Sequence, residues 1–260
     1  MKLTSELPCM QVIGIRTPLI KPGDDIVEVL ASSLNENEIF LQDGDVLVLA
    51  ESAVATAEGR MVELSTVVPS KEAEELSEKY CVDSREMELV LCECDDIIGG
   101  VPGAALTITK GTLSPNAGID GSNAPEGHVV LLPENAQKSA ARIRAGMEEF
   151  CCCHLGVIVG DSRTQPLRLG CVGVALGTSG IVPVEDARGS KDLFGKTLHI
   201  TRKAVADNLV SAAQVIMGEA DECIPCVLMR GAPVKMVKGS EEMPLFTPEE
   251  CMYYSNIKQK

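Results

Sequence analysis

Three short stretches of this chain carry acids where chemistry is often done. In the first, an apolar run, Leu155-Gly-Val-Ile-Val159, gives way to Gly160-Asp161-Ser162-Arg163. A short β-branched run of this kind is expected to be a buried strand, with Asp161 set where it stops. Loops at strand ends present side chains from a rigid base, so ligands gather there in sheets flanked by helices. The second stretch is a polar, turn-rich loop, Asn116-Ala-Gly-Ile-Asp120-Gly-Ser-Asn123. The third, Met217-Gly-Glu219-Ala-Asp221-Glu222, places three acids in four residues.

Asp, Asn, Ser and Glu supply the hard oxygen donors that Mg or Mn use when they bridge phosphates. Glu219 falls just past an expected helix C-terminus, where the helix dipole disfavours negative charge, so an acid cluster there points to a cation. Loops are rich in Asp in any case, and three solvated loop acids are the competing reading. If Asp120, Asp161 and Glu219 do meet around cations, Asp161→Asn is expected to abolish turnover while leaving the fold intact.

Other chemistries find less support. His128, His154 and His199 share no motif spacing and read as ordinary core or surface histidines. No nucleophile elbow, Walker loop or dinucleotide fingerprint occurs. Cys151-Cys152-Cys153-His154 is too consecutive to close one tetrahedral site, and Cys223-Ile-Pro-Cys226 is a lone C-x-x-C whose second thiol falls in an apolar run. The 11 cysteines, without a secretion signal, read as free thiols in a reducing compartment.

The elements that must position these acids follow from periodicity and turn chemistry. Strands are expected over residues 11–20, leaving the sheet at Thr17-Pro18, and over 46–50, 155–159 and 225–229. Helices are expected over 25–34, over a segment opened by Pro69-Ser70, over 138–153 with Ala140, Ile143, Met147 and Phe150 on one stripe, and over 201–217 with Val205, Leu209, Ala212 and Ile216 on one stripe. Gly218 suits the last helix's C-cap, and Thr247-Pro248-Glu249-Glu250 fits a capping box before a short terminal helix. From about 86 to 133 the pattern turns to short strands punctuated by Gly, Pro and Asn. The expected fold class is therefore α+β, with residues 1–85 and 181–260 in a main lobe and 86–180 in a β-rich second lobe.

Composition bounds the partners. In 260 residues, 45% are hydrophobic, 3% are aromatic and none is Trp, so the core is built from aliphatic side chains and Met. A formal charge of -15 argues against a nucleic-acid partner, which needs a basic face to displace counterions. Neither the first eight residues, Met1-Lys-Leu-Thr-Ser-Glu-Leu-Pro, nor any later run supplies an apolar leader or the ~18 apolar residues of a membrane span. A cytoplasmic protein with no membrane partner is expected.

Taken in order, the motifs resemble the coenzyme F-420:L-glutamate ligases. The segments at 116–123 and 157–162 are followed by Arg188-Gly-Ser-Lys-Asp192-Leu-Phe-Gly195, Val205-Ala-Asp207 and Met217-Gly-Glu219-Ala-Asp221. Upstream, Pro18-Leu-Ile20-Lys-Pro-Gly-Asp24-Asp25, Gly44-Asp45-Val46 and Ala57-Glu58-Gly59-Arg60 also match, so the likeness extends nearly to Gly231. It implies a GTP-dependent ligase that adds L-glutamate, through a γ-linkage, to a deazaflavin coenzyme precursor, on a two-lobed α+β protomer in an intertwined homodimer. It further implies two divalent ions, Mg or Mn, with K as a further candidate. Asp120 and Asp161 would hold one ion, Ser162 and Glu219 the other. Thr17, Pro18, Leu19, Ile20, Glu51, Ser52 and Asn123 would line the GTP, together with Met217, Gly218, Glu219, Ala220, Asp221, Glu222, Cys223 and Ile224.

Two departures from the family pattern matter. Thr56 stands where the family has a Lys, removing a point charge. Arg163-Thr164-Gln165-Pro166 replaces a Gly-Arg-Pro pattern, with Arg168 retained. Both leave open a paralogue with another acceptor or amino acid, or a nucleotide-binding protein without turnover.

Overall fold

The computed structural model describes residues 8–257, so most of the N-terminal stretch read above lies outside the described residues. The chain divides into two compact units, Met1–Glu58 with Pro133–Met243, and Gly59–Leu132 with Pro244–Lys260. The first unit opens with β1 (Gln11–Ile15), α1 (Ile26–Glu36), β2 (Val46–Ala50) and α2 (Glu51–Ala57). The second then follows as β3 (Met61–Glu63), α3 (Lys71–Tyr80), α4 (Ser84–Glu93), β4 (Asp96–Val101), β5 (Ala104–Thr109), β6 (Thr112–Pro115) and β7 (His128–Val130). Returning to the first unit, the chain forms α5 (Ala136–Cys151), β8 (Gly156–Thr164), β9 (Cys171–Ser179), β10 (Val184–Asp186), β11 (Arg202–Ala204), α6 (Val205–Met217) and β12 (Cys226–Arg230). A last short helix, α7 (Tyr254–Ile257), belongs to the second unit.

The first unit is built on a five-stranded sheet in the order β1-β12-β2-β8-β9. Only β2 and β8 run parallel; the other neighbours are antiparallel. Alternation along the apolar runs sends side chains to both faces. Leu47, Leu49, Val157, Val159 and Leu228 join Leu30 of α1 and Ile143 of α5 in one core, while Val46, Val48, Ile158 and Val227 join Leu209 and Val210 of α6 in another. The sheet is thus covered on both faces, which is why these strands read as continuous hydrophobic runs. Helix α1 starts where the Asp25 carboxylate accepts the Val27 and Glu28 N–H groups, and α5 where Asn135 accepts that of Lys138.

Two helical stripes differ from expectation. Phe150 is exposed, because the inward stripe continues from Met147 to Cys151, which packs against the core. On α6 the buried residues are Ala206, Leu209, Val210 and Ala213, not Ala212 and Ile216. The helix rotates to lie on Gly160 and Gly173, where a Cβ would run into Val210 or the α6 backbone.

In the second unit β4, β5 and β6 form an antiparallel meander, and β3 pairs antiparallel with β7. Met87, Val90, Ala105, Ala117, Val129 and Leu131 share its core. Residues 86–93, expected to open the β-rich stretch, belong to α4 instead. The Thr247 box closes a single turn, with the Glu250 carboxylate accepting the Thr247 N–H at 3.1 Å, and the short helix follows four residues later. The chain therefore divides elsewhere than at the expected 85/86 and 180/181. The parallel pairing of β2 with β8 puts 46–50 and 155–159 into one sheet, and the 59–132 part of the second unit falls in the long connection between those strands.

Candidate functional site

Four of the expected segments converge at one end of the five-stranded sheet. Residues 17–20 follow β1, Glu51 and Ser52 follow β2, and residues 217–224 precede β12, whose first residue pairs with Ile15 and Leu49. Backbone bonds tie them together: Thr17 N–H donates to the Cys223 carbonyl at 3.1 Å and Ala50 N–H to that of Pro225 at 2.9 Å. The parallel ladder ends at the Ala50–Gly160 pair, and Asp161 and Ser162 come next. Asp161 does not mark the end of its strand, however. β8 runs on to Thr164, paired with β9 alone, because a bulge between Val159 and Gly160 carries the strand past the glycine that reads as a turn.

Continuation of the strand places Asp161 and Arg163 on one face. The Arg163 Nε donates to Asp161 Oδ2 at 2.7 Å, and the side chains are only 5% and 12% exposed. Ser162 points elsewhere: its hydroxyl donates to Glu219 Oε2 at 3.2 Å. The other Glu219 oxygen accepts from the Gln214 amide, a partner with no signal in the sequence. Gly218 leaves α6 at φ 73, in a conformation where a Cβ would strike the Glu222 carboxylate. Glu222 in turn accepts the Ala220 N–H at 2.9 Å, so the loop is folded on its own acid.

Asp120 and Asn123 belong to the second unit. Asp120 exchanges both backbone bonds with Val130, and its Oδ1 accepts the Ser122 N–H at 2.8 Å. The preceding residues Asn116, Ala117 and Gly118 all have positive φ, at 46, 56 and 76. Side-chain bonds hold that unusual turn: Asn116 Oδ1 accepts the Ala105 N–H at 2.8 Å and its amide donates to Glu86 at 3.3 Å. Burial, reinforced by the charges of Asp83 and Asp120, holds the Glu86 carboxyl above its ordinary range.

Burial likewise raises the carboxyl of Asp207, opposed by the Ala175 N–H it accepts. Burial also pushes the Cys226 thiol far up, while its partner in the C-x-x-C spacing, Cys223, is exposed; that pair has the character of structural thiols. Thr56 is buried on α2, so the position where the family pattern has a Lys is part of the packing in this chain. Within each unit, and among the described residues, no three His, Cys, Asp or Glu side chains group as a ready metal cage. No described helix is long and apolar enough to cross a membrane.

A mixed sheet covered on both faces, with polar loops and hard oxygen donors gathered at one end, defines an α+β protein whose strand ends are the candidate ligand site. The comparisons name the family. The model described as F420-0:Gamma-glutamyl ligase matches residues 14–231, and the chain belongs to that family. It is 41% identical to the coenzyme F420:L-glutamate ligase of Methanopyrus kandleri over 82% of each chain. It is 38% identical to that of Methanothermobacter thermautotrophicus, covering 93% of this chain and 97% of the relative. The Methanocaldococcus jannaschii ligase is 39% identical over 95% of this chain and 97% of its own.

Proposed function

We propose that this protein is a GTP-dependent ligase that joins L-glutamate to the carboxylate of a deazaflavin coenzyme precursor. Family membership supports ligation of glutamate to coenzyme F420. The observation that carries the finer reading is the convergence of residues 17–20, 51–52, 161–162 and 217–224 at one end of the sheet. An amide cannot form from a free carboxylate without activation. In the scheme we favour, an acceptor carboxylate oxygen attacks the γ-phosphorus of GTP, releasing GDP and forming an acyl phosphate. The glutamate amine then adds to the acyl carbon, loses its proton and expels phosphate.

The donor set fits hard cations: Ser162 and Glu219 already place a hydroxyl and a carboxylate 3.2 Å apart, with Glu219 exposed. Asp161, Ser162 and Glu219 of the first unit would hold Mg or Mn, with K the further candidate. Bound there, such ions would offset the charge of the triphosphate, which an acidic chain cannot do alone. Arg163 adds a fixed positive charge beside Asp161. A homodimer is part of the proposal, since Leu167, Leu169, Leu193, Phe194 and Ile200 of the first unit stand 82–105% exposed. That much bare apolar surface suits burial against a second copy.

Incubation with GTP, Mn, L-glutamate and the glutamate-free coenzyme is expected to give GDP and a product heavier by one glutamate. No change in mass, with the M. jannaschii relative active in parallel, would remove the reading. GDP release driven by a different amino acid would select the paralogue that Thr56 and the 163–166 segment suggest. GTP binding without hydrolysis would select a protein that kept the site and lost turnover.

A further inference from the structure

Asp207 hydrogen-bonds to none of the residues assigned to substrate, yet its bond to Ala175 leads to them. At the bulge Val159 faces Gly177 while Gly160 faces Ala175, leaving Leu176 as the extra residue of β9. There β8 passes from core strand to bearer of Asp161 and Ser162, and bulges re-aim the side chains beside them. The Ala175 N–H, at the bulge, donates to Asp207 Oδ1 at 2.9 Å. One turn along α6, the Ser211 hydroxyl donates to the Gly173 carbonyl at 3.0 Å. Gly173 and Ala175 are the cross-strand partners of Ser162 and Gly160, and Val174, between them, is that of Asp161. The next residue at helical spacing, Gln214, bonds Glu219. One face of α6 thus holds the backbone opposite Asp161 and Ser162 and, through Gln214, the acid that Ser162 meets.

We propose that Asp207 is a positioning residue: by fixing the bulge at Ala175 against α6, it sets where Asp161 and Ser162 stand relative to Glu219. The inference rests on the reading of those three residues as the substrate-handling end of the sheet. Loss of the bond frees the bulge and lets the site drift without removing any group that meets substrate.

The test compares Asp207→Ala, Asp207→Asn and Ser211→Ala by steady-state ligase kinetics and by amide hydrogen exchange of residues 160–163 and 175. Asp207→Ala is expected to lose about 10²-fold in kcat, the scale on which misplaced catalytic groups cost rate, with little change in the KM for GTP. Its amides at 160–162 and 175 should exchange faster. Asp207→Asn keeps an oxygen acceptor for the Ala175 N–H and should recover most of the rate and the protection. Ser211→Ala should move both readouts the same way by less, and it decides the question if Asp207→Ala does not fold. Unchanged kcat and exchange in Asp207→Ala, or in Ser211→Ala where it must stand in, would overturn the proposal. So would an inactive Asp207→Asn with protected amides, which would make the charge itself chemical. A wild-type protein without ligase turnover defeats the proposed function instead, and the exchange rates still decide whether Asp207 holds the strand.

Discussion

Asp161 and Glu219 stand out in the sequence because each is an acid that follows an apolar strand run or a helical stripe. What the sequence hid was the neighbour of each. Arg163 reaches Asp161 only because β8 continues past Gly160, so that residues two apart share a face. Gly-Asp-Ser after an apolar run reads as a turn, and the bulge that keeps it a strand depends on β9. This changes one expectation. With Arg163 nearly buried against it, Asp161→Asn should not leave stability untouched. The weakened charge-assisted bond should cost roughly 1–3 kcal/mol in chemical denaturation, alongside loss of GDP formation. Asp221→Asn, at an exposed loop position, should change both far less. Gly218→Ala should cost roughly 1–3 kcal/mol, because φ 73 with ψ -171 is a conformation essentially restricted to glycine, and should displace Glu222, so calorimetric affinity for GTP should fall.

Among the elements, long apolar runs gave themselves away and short amphipathic ones did not. Strands 46–50, 155–159 and 225–229 are buried on both faces, so periodicity sufficed. Helix α4 buries only Met87 and Val90, and the Gly-rich strands after it dominated the reading, although Asp83 at its N-cap was a usable signal. That cap makes a pH prediction. The Arg85 guanidinium, with N–H donors of the first turn, lowers the Asp83 carboxyl from 3.8 to about 2. A depressed folded pKa means stability present above the ordinary Asp range and lost as pH falls through about 2. Because Asp83 is largely exposed, the effect is small, under about 1 kcal/mol. Protection of the amides of residues 85–87, taken relative to their intrinsic exchange at each pH, should fall across that window, and Asp83→Asn should remove the dependence.

At the scale of the molecule, the charge of -15, the aliphatic core and the α+β class follow from composition and pattern, but the division of the chain does not. A crossover between parallel strands has a minimum length but no maximum, so nothing local told that 59–132, between β2 and β8, joins 244–260 in a second unit. The proposed pairing with a second copy rests on the family likeness and on exposed apolar side chains. The bare leucines of the first unit make it testable: Leu167→Glu with Leu193→Glu should shift sedimentation from dimer to monomer, and an unchanged dimer would place the interface elsewhere. The central claim, activation of the acceptor through GTP at the sheet end of the first unit, has a direct measurement. With the acceptor carboxylate carrying heavy oxygen, one labelled atom should appear in each phosphate released, because that oxygen bridges carbon and phosphorus in the acyl phosphate. Product formed with unlabelled phosphate would contradict the account.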